Sequence, residues 1–395
     1  MRIAQINAVS YGSTGRIMFQ LADALKQEGH SVLCTAGFTW HRPEREDFFL
    51  TSGLAEKSVH MALARVTGRI GAFSVHATGQ LLKRLDAFQP ELIHCHNLHG
   101  WFINLPMLFD YIRKKNIPVV WTLHDCWAFT GHCPHFQGAG CDRWKTGCHS
   151  CPLYRQYPGT WFDYSGPMYE NKKKWFGGVD QLMIVTPSLW LKSCVEESFL
   201  AEYPVQVLPN GIDLGVFCPQ KGNAGTGRKE KYTVLGVAYA WDDKKGLDVF
   251  LELNRRLGDA YEIVLVGTDE KSERRIPANI RTVRRTQSRQ ELAQLYSEAD
   301  VFVNPTREDN LPTVNMEALA CGTPVITFDT GGSPEIPDDS CGIVVAKNDV
   351  DALEREIRRV CTQKPFSEGQ CTERAKNFRE EDCIRQYLEL YRSML

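Results

Sequence analysis

The chain lacks the features that mark several protein classes. It has no run of eighteen apolar residues, the length that a membrane-spanning helix requires. Its net charge is only −2, so electrostatics does not favour nucleic acid as a partner. The start, MRIAQINAV, has no basic region followed by a long apolar run, so we expect a first strand and not a signal peptide. The dinucleotide pattern G-x-G-x-x-G is also missing after that strand, which argues against a nicotinamide enzyme.

Length and composition indicate an ordinary globular protein. The 395 residues are 43% hydrophobic and 24% charged, which is enough apolar material for two or three domains with their own cores. Fourteen cysteines in a chain without a secretion signal are typical of a reducing compartment. We therefore expect the protein in the cytoplasm.

Apolar strand candidates alternate with helical stretches along the chain. The first half offers IAQINAV, SVLCTAG, LIHCHN, VVWTLHD, LMIVTPS and VQVLPNG, and the second half offers YTVLGVAY, YEIVLVGT, IRTVRR, DVFVNPT, PVITFDT and GIVVAKND. This alternation predicts an α/β fold with two Rossmann-like domains, residues 1–208 and 209–374. A Gly-, Lys- and Asn-rich stretch at 221–231 marks the crossover region. Residues 375–395 have apolar side chains at helical spacing.

The stretch TREDNLPTVNMEALACGTPV at 306–325 combines a strand end, a sharp turn and a buried helix. Residues 309–313 follow the strand, where open α/β sheets place ligands, and the helix start offers free amides to a phosphate or sugar oxygen. Asp309 and Glu317 are seven residues apart, so both can face one pocket. Taken alone, the two acids are equally well explained as a turn residue and a capping acid.

With LP, EALACGTPV and GGSPE in this order, the stretch resembles the E-x7-E signature of retaining glycosyltransferases of family 4. Asp309 stands where the family has its first Glu, and Glu308 directly precedes it. The resemblance implies that one of these two carboxylates reaches the transferred sugar and that Glu317 binds the nucleotide ribose. It places Leu311, Pro312 and Thr313 beside the donor.

The same resemblance implies the GT-B architecture, with a cleft between the domains and a final helix, 375–395, that crosses back onto the first domain. In the loop SYGSTGR at 10–16, we expect a helix from about Ile17. The loop is either a plain strand-to-helix turn or, as the family implies, a glycine-rich loop in which Gly15 faces the donor diphosphate. Ser13 and Arg16 would then lie on the acceptor side.

Histidines follow two of the predicted strands. His94, His96 and His99 lie at one strand end, in ELIHCHNLHG. Three interpretations are open: a metal site, structural histidines, or a substrate contact through His96. His124 and Asp125 end the next strand, and a histidine there can donate to a developing charge or a sugar hydroxyl. In the family, a histidine at this position lies near the reacting carbon, so we assign His124 to catalysis and Asp125 to the acceptor side.

The segment at 131–152 spaces its cysteines as C-x7-C-x6-C-x2-C, at Cys133, Cys141, Cys148 and Cys151. Four thiolates with a C-x-x-C knuckle are able to close a tetrahedral structural zinc site, and the alternative is a loop of reduced cysteines. HD-x-W-x-x-TG-x-C and WKTGC-x-x-CP resemble a subgroup of family 4 that builds colanic acid, other exopolysaccharides or capsules.

Lys244 and Lys245 follow a strand and precede a helix, where ammonium groups are able to neutralise a leaving diphosphate. By themselves, two such lysines are usually solvated surface. Lys245 matches a lysine that family 4 carries before Gly, while the usual Arg position holds Tyr239, so Lys244 is expected to share the task.

These observations predict a retaining, metal-independent glycosyltransferase that moves a sugar from a UDP- or GDP-sugar to a glycan in exopolysaccharide, capsule or O-antigen assembly. The expected acceptor is a lipid-linked oligosaccharide at the inner face of the cytoplasmic membrane, which the stretch 55–70 would contact if it is not simply a packed helix. The alternatives are a non-catalytic sugar-nucleotide-binding protein, a transferase with a soluble acceptor, or a nucleotide-sugar epimerase on the same fold.

Overall fold

The structure is a computed structural model that describes residues 1–220 and 231–395. These residues form two compact units, Met1–Leu208 with Ile384–Leu395, and Pro209–Cys383. Apart from Lys231, the predicted crossover stretch at 221–231 lies outside the described residues. Within them, no helix is long and apolar enough to cross a membrane.

The first unit is organised on a parallel sheet whose strands are β1 (Arg2–Val9), β2 (Ser31–Phe38), β3 (Phe48–Leu50), β4 (Leu92–Cys95), β5 (Val119–Thr122), β6 (Leu182–Thr186) and β7 (Val205–Val207). Their order is β3-β2-β1-β4-β5-β6-β7. The helices are α1 (Gly12–Gln27), α2 (Leu54–Thr67), α3 (Val75–Phe88), α4 (Leu105–Lys115), α5 (Ser165–Phe176) and α6 (Leu189–Glu196). Because the central strands are covered on both faces, their side chains are buried almost without interruption.

The second unit repeats this design with strands β8 (Tyr232–Val237), β9 (Tyr261–Val266), β10 (Arg281–Val283), β11 (Val301–Asn304), β12 (Val325–Phe328) and β13 (Gly342–Val345). They pair in parallel in the order β10-β9-β8-β11-β12-β13. Its helices are α7 (Leu247–Leu257), α8 (Glu270–Glu273), α9 (Arg289–Glu298), α10 (Thr313–Ala320), α11 (Val350–Gln363) and α12 (Glu368–Ala375). The predicted α/β architecture with two Rossmann-like sheets is confirmed.

Three details differ from the sequence-based expectation. The short edge strand β3 was not anticipated, because three residues are too few for a pattern. Helix α1 begins at Gly12 and not near Ile17, since Tyr11 is still extended and the chain turns immediately after it. The segment 375–395 is not one helix: a 3-10 turn at Lys376–Phe378 precedes α13 (Glu380–Met394).

The end of the chain divides between the two cores. Phe378 packs into the core of the second unit. Tyr387, Leu388 and Tyr391 of α13 pack instead against β1, β2 and α1 side chains in the first unit. Tyr391 Oη also hydrogen-bonds His94 Nδ1 at 2.6 Å, so α13 belongs to the first unit through polar as well as apolar contacts.

Candidate functional site

In the second unit, two lysines meet two carboxylates at the carboxyl ends of β8 and β11. Lys244 Nζ lies 2.8 Å from Glu308 Oε2, and Lys245 Nζ lies 2.7 Å from Asp309 Oδ2. Lys245 Nζ also lies 3.4 Å from the carbonyl oxygen of Glu308. Since β8 and β11 are neighbours in a parallel sheet, the loops after them emerge side by side.

The two acids differ in exposure. The Glu308 side chain is only 4% exposed, whereas that of Asp309 is 23% exposed and that of Lys245 is 37% exposed. The Lys245–Asp309 pair is therefore the more accessible of the two ion pairs. A buried carboxylate such as Glu308 needs its cationic partner, whereas Asp309 is partly open to solvent.

Gly246 explains how the lysines reach this position. Its φ is +80°, and a Cβ atom there would lie 2.5 Å from Pro305 Cγ and 2.6 Å from the Pro305 carbonyl oxygen. Only glycine allows both the left-handed backbone and this close approach. The backbone N–H of Arg307 donates to the carbonyl of Lys244 at 2.8 Å, which joins the two loops.

Glu317 lies inside α10 and is 6% exposed. The phenol of Tyr296 in α9 donates to its Oε2 at 3.0 Å. Burial and the Glu317 charge raise the pKa of Tyr296 well above its usual range, so the phenol keeps its proton and donates. Of the predicted donor residues, Leu311 and Pro312 are buried before the helix, and Thr313 begins it.

Three buried polar atoms close to this turn in sequence lack a hydrogen-bond partner within the described part of the chain. They are Asn315 Nδ2 in α10, and Thr330 Oγ1 and Ser333 Oγ after β12. The loop that carries Thr330 and Ser333 is tied to the turn by a hydrogen bond from the Gly332 N–H to the Asn310 carbonyl at 2.8 Å. Buried polar atoms are rarely left unpaired, so water or a polar ligand would be stabilised beside them.

The first unit has its own polar group where β4 and β5 end. His96 follows β4, His124 follows β5, and His96 Nδ1 lies 3.2 Å from His124 Nε2. On its other side, His96 Nε2 lies 3.1 Å from Gln5 Oε1 on β1. Burial lowers the pKa of His124 to about 4 and that of His96 well below its ordinary value, so both rings are neutral at pH 7.

The hydrogen-bond order assigns the protons of these rings. Gln5 Nε2 donates to the Met18 carbonyl at 3.0 Å, which turns Gln5 Oε1 toward His96 as an acceptor. His96 must therefore carry its proton on Nε2, and its Nδ1 accepts from His124 Nε2–H. His124 Nδ1 then carries no proton, so this nitrogen accepts a hydrogen bond. The sequence-based expectation that His124 donates to the substrate stays a prediction.

Asp125 is engaged within the protein. Its Oδ2 lies 2.8 Å from His99 Nε2, and its Oδ1 accepts the Trp127 N–H at 2.8 Å. Burial alone would raise its pKa, but the His99 charge and the hydrogen bonds outweigh burial and lower the pKa to about 2. His99 Nδ1 meets the Tyr157 hydroxyl at 2.9 Å, so Asp125 orients His99 and thereby Tyr157.

His94 is a structural residue. Its Nε2 lies 2.8 Å from Thr122 Oγ1, its Nδ1 bonds Tyr391, and the ring is completely buried. Because His94, His96 and His99 each bond different partners, they do not converge. Among residues 1–220 and 231–395, no group of three or more His, Cys, Asp or Glu side chains is arranged to hold a metal ion.

The first loop is a tight helix start. Gly15 is buried in the first turn of α1, and a Cβ there would lie 2.4 Å from the carbonyl carbon of Ser10. Glycine is therefore required for this close backbone approach. Ser13 is exposed and Arg16 is half-buried. The loop follows β1, which pairs with β4, so it emerges on the same sheet edge as His96.

Apolar packing anchors the cysteine segment. Phe136 and Trp144 join the core of the first unit. Cys133 and Cys151 hydrogen-bond to each other, which lowers the pKa of Cys151 to about 7. Cys148 Sγ instead accepts the Gly131 N–H at 3.1 Å. The described residues do not bring Cys133, Cys141, Cys148 and Cys151 together as one ligand set, so the structural zinc stays an untested prediction.

Sequence reasoning missed three positioning residues. Gln5 offered a signal, since an amide inside the apolar strand IAQINAV is unusual and needs a partner. Tyr296 and Tyr157 offered no such signal, because Tyr296 bonds Glu317 and Tyr157 bonds His99 from distant parts of the chain. Tyr239, which occupies the usual arginine position, is 89% exposed.

Comparisons with known proteins agree with this geometry. Residues 14–216 match the profile described as Glycosyltransferase Family 4, and residues 231–363 match the one described as Glycosyl transferases group 1. A putative colanic acid biosynthesis glycosyl transferase, WcaC, of Escherichia coli is 28% identical over 66% of this chain. The match spans 65% of that relative's own length.

Solved structures share the fold. Sucrose-phosphate synthase from Thermosynechococcus elongatus superposes with a TM-score of 0.72 at 19% identity, over 100% of this chain and 99% of its own. Anabaena Alr3699/HepE, solved in complex with UDP, has a TM-score of 0.70 at 12% identity, over 100% of both chains. The same protein was also solved with UDP-glucose. The Glycosyltransferase Family 4 profile covers half of the chain, and the two Rossmann-like units together make up the GT-B fold. The chain therefore belongs to glycosyltransferase family 4.

Proposed function

We propose that the protein is a retaining glycosyltransferase that moves a sugar from a nucleotide diphosphate sugar to a hydroxyl of a growing glycan. The observation that carries the proposal is the pairing of Lys244 with Glu308 and of Lys245 with Asp309 at the carboxyl ends of β8 and β11. Two cations that precede α10 suit a diphosphate, and the partly exposed carboxylate of Asp309 beside them suits a sugar.

In this proposal the second unit binds the donor. Lys245, with Lys244 and the first amides of α10, stabilises the negative charge that develops on the departing diphosphate. We assign this neutralisation to these groups and not to a metal ion. Asp309 binds the transferred sugar, and Glu317, oriented by Tyr296, binds the ribose. The UDP and UDP-glucose complexes of Alr3699/HepE support a nucleotide-sugar donor of the UDP class.

We assign the acceptor to the first unit. His124 accepts a hydrogen bond from a sugar hydroxyl at Nδ1, and Asp125 orients the neighbouring His99 and Tyr157. Ser13 and Arg16, at the start of α1 on the same sheet edge, supply a hydroxyl and a cation to the acceptor. The name of the Escherichia coli relative, a putative colanic acid biosynthesis glycosyl transferase, supports exopolysaccharide assembly as the class of reaction. We propose a lipid-linked oligosaccharide as the acceptor.

The first test is a binding and hydrolysis screen of the purified protein against UDP-, GDP-, ADP- and TDP-sugars. We expect one donor to bind and to be hydrolysed slowly, and both signals to be lost in Glu317→Ala. Glu373→Ala, an exposed glutamate on α12 of the same unit, is the matched control and should behave as wild type.

Retention is tested by NMR of the anomeric proton in the first product formed. A product with the donor's anomeric configuration supports the proposal, and an inverted product contradicts it. Binding without turnover would favour a non-catalytic sugar-nucleotide-binding protein. Conversion of the donor sugar to its epimer, without hydrolysis or transfer, would favour an epimerase. Transfer to a free sugar would favour a transferase with a soluble acceptor.

A further inference from the structure

Helix α2 in the first unit exposes most of its apolar side chains, whereas an ordinary surface helix buries them. The side chains that it buries fully are His60 and Ala64. His60 is held by hydrogen bonds, since its Nδ1 lies 2.7 Å from Ser74 Oγ and its Nε2 accepts the Gly71 N–H at 3.2 Å. Because the buried side of α2 carries His60 and Ala64, most of its larger apolar side chains lie on the exposed side.

The outer side of α2 is almost entirely apolar. Its exposed apolar residues, which we call the α2 apolar face, are Leu54, Ala55, Val59, Ala62, Leu63 and Val66. Leu54 and Val59 are 69% and 58% exposed. At 100° per residue, Ala55, Val59, Ala62, Leu63 and Val66 form a continuous stripe about 100° wide, and Leu54 lies apart from it, beyond the exposed Ser58 and Arg65. Scattered apolar residues are normal on a surface, but a continuous face of this kind marks an interaction site.

Aromatic side chains extend this face. Trp161 and Phe162 are 64% and 61% exposed, and the backbone N–H of Trp161 donates to the Arg65 carbonyl at 2.9 Å. The segment is therefore fastened to the end of α2. Tyr164 lies so close to Gly68 that a Cβ atom there would be 2.1 Å from the tyrosine Cβ. Indole and phenyl rings beside an apolar helix are the side chains that settle at a membrane surface.

Two arginines on this surface have no carboxylate partner among the described residues. Arg65 and Arg69 are exposed, and neither forms an ion pair with a carboxylate of the described residues. Of the two nearby acids, the partly buried Glu56 accepts the Ala77 N–H at 2.9 Å, and the exposed Asp163 accepts the N–H groups of Cys151 and Ser165. Arginines without a carboxylate partner complement anionic lipid headgroups.

We propose that the α2 apolar face, with Trp161 and Phe162, docks the first unit onto an anionic lipid surface. The apolar and aromatic side chains enter the boundary between headgroups and acyl chains, while Arg65 and Arg69 contact the headgroups. This deepens the proposed function, because it rests on an acceptor that is attached to lipid. Docking needs no donor, so the two proposals can fail separately.

The test is co-sedimentation of the full chain with vesicles of phosphatidylcholine containing phosphatidylglycerol, and with vesicles of phosphatidylcholine alone. We expect binding to the anionic vesicles that weakens as salt rises. The double variant Leu63→Gln/Trp161→Ser should bind at least about tenfold more weakly, because two exposed apolar side chains no longer enter the lipid. Arg65→Gln/Arg69→Gln should lose the preference for anionic vesicles.

Leu189→Gln is the matched control, since Leu189 is a 63% exposed leucine on α6 of the same unit. It should bind vesicles as wild type does. All substituted side chains are exposed, so an unchanged unfolding temperature confirms that each variant is folded. The proposal is overturned if wild type ignores anionic vesicles, or if the Leu63→Gln/Trp161→Ser variant binds as tightly as wild type. Self-association of wild type that this variant abolishes would overturn it too, and would assign the face to a second copy of the chain.

Discussion

Replacing Tyr296 by Phe isolates one hydrogen bond in the proposed donor site. The change removes only the hydroxyl that donates to Glu317 Oε2 at 3.0 Å. The ring contacts with Phe217 and Phe302, at centroid distances of 6.2 and 5.5 Å, are kept. The backbone carbonyl of Tyr296, which accepts from Thr323 Oγ1, is also unaffected.

The expected magnitude follows from the burial of both partners. Tyr296 is fully buried and Glu317 is 6% exposed, so water does not readily replace the lost donor. A hydrogen bond to a charged group contributes about 1.5–3 kcal/mol, and we expect a stability loss in this range. If Glu317 binds the ribose, a misoriented carboxylate should also weaken donor binding by roughly tenfold, equivalent to about 1.4 kcal/mol.

The assay is calorimetric titration with the donor found in the screen, together with urea unfolding. Tyr203→Phe is the matched control, because Tyr203 is a buried tyrosine of the first unit whose hydroxyl donates to the Phe176 carbonyl at 2.7 Å. It should lose about 1 kcal/mol of stability and bind the donor normally. The decisive measurement is a double-mutant cycle of Tyr296→Phe with Glu317→Gln. If the two changes weaken donor binding additively, Tyr296 does not act through Glu317 and the reasoning is refuted.

Three further predictions concern catalysis, proton position and stability. Lys245→Met should lower kcat about 100-fold, while Lys245→Arg, which keeps a cation beside Asp309, should lose less; equal losses in steady-state kinetics would contradict an electrostatic role. NMR correlation of ring nitrogens and protons should find His124 protonated at Nε2 in wild type, and Gln5→Leu should disturb this assignment; a proton on Nδ1 of wild type would refute the hydrogen-bond order. Burial lowers the pKa of His60 from 6.5 to about 4, so the unfolded chain takes up a proton first and stability falls as the pH drops from 6.5 toward 4. The free energy of unfolding should fall by about 2 kcal/mol at pH 5. Urea unfolding of His60→Asn should show a correspondingly shallower pH dependence, and an unchanged pH dependence would show that His60 is not responsible.

Local signals in the chain were sufficient for the elements and their class. Buried parallel strands are short apolar runs, and these runs alternate with helical stretches, so both sheets could be predicted without any distance information. The loop that contains Gly15 was recognisable as the site of a tight turn, because only glycine allows such close backbone approach. The position of Lys245 directly before Gly246 also identified the lysine as part of the donor loop.

Long-range pairing could not be read from the same patterns. Lys244 and Glu308 are 64 residues apart, and only the adjacency of β8 and β11 in the sheet brings them together. The spacing of the cysteines predicts a metal site, which stays a prediction, but it gave no sign that Phe136 and Trp144 of the same segment pack into the core of the first unit. Spacing along a chain limits which side chains can meet, but the backbone path decides which of them do.

The amino-acid sequence by itself determined the family and the two-sheet class, and it predicted where the donor residues lie, because these depend on local periodicity and on motifs within twenty residues. Only the tertiary structure decided which carboxylate is buried, which nitrogen of His124 carries the proton and which side of α2 faces outward. Each of these depends on partners from distant elements, such as Gln5 for His124 and Ser74 for His60. The free energy of a polar or apolar side chain is set by those partners and by burial, and neither exists before the chain has folded.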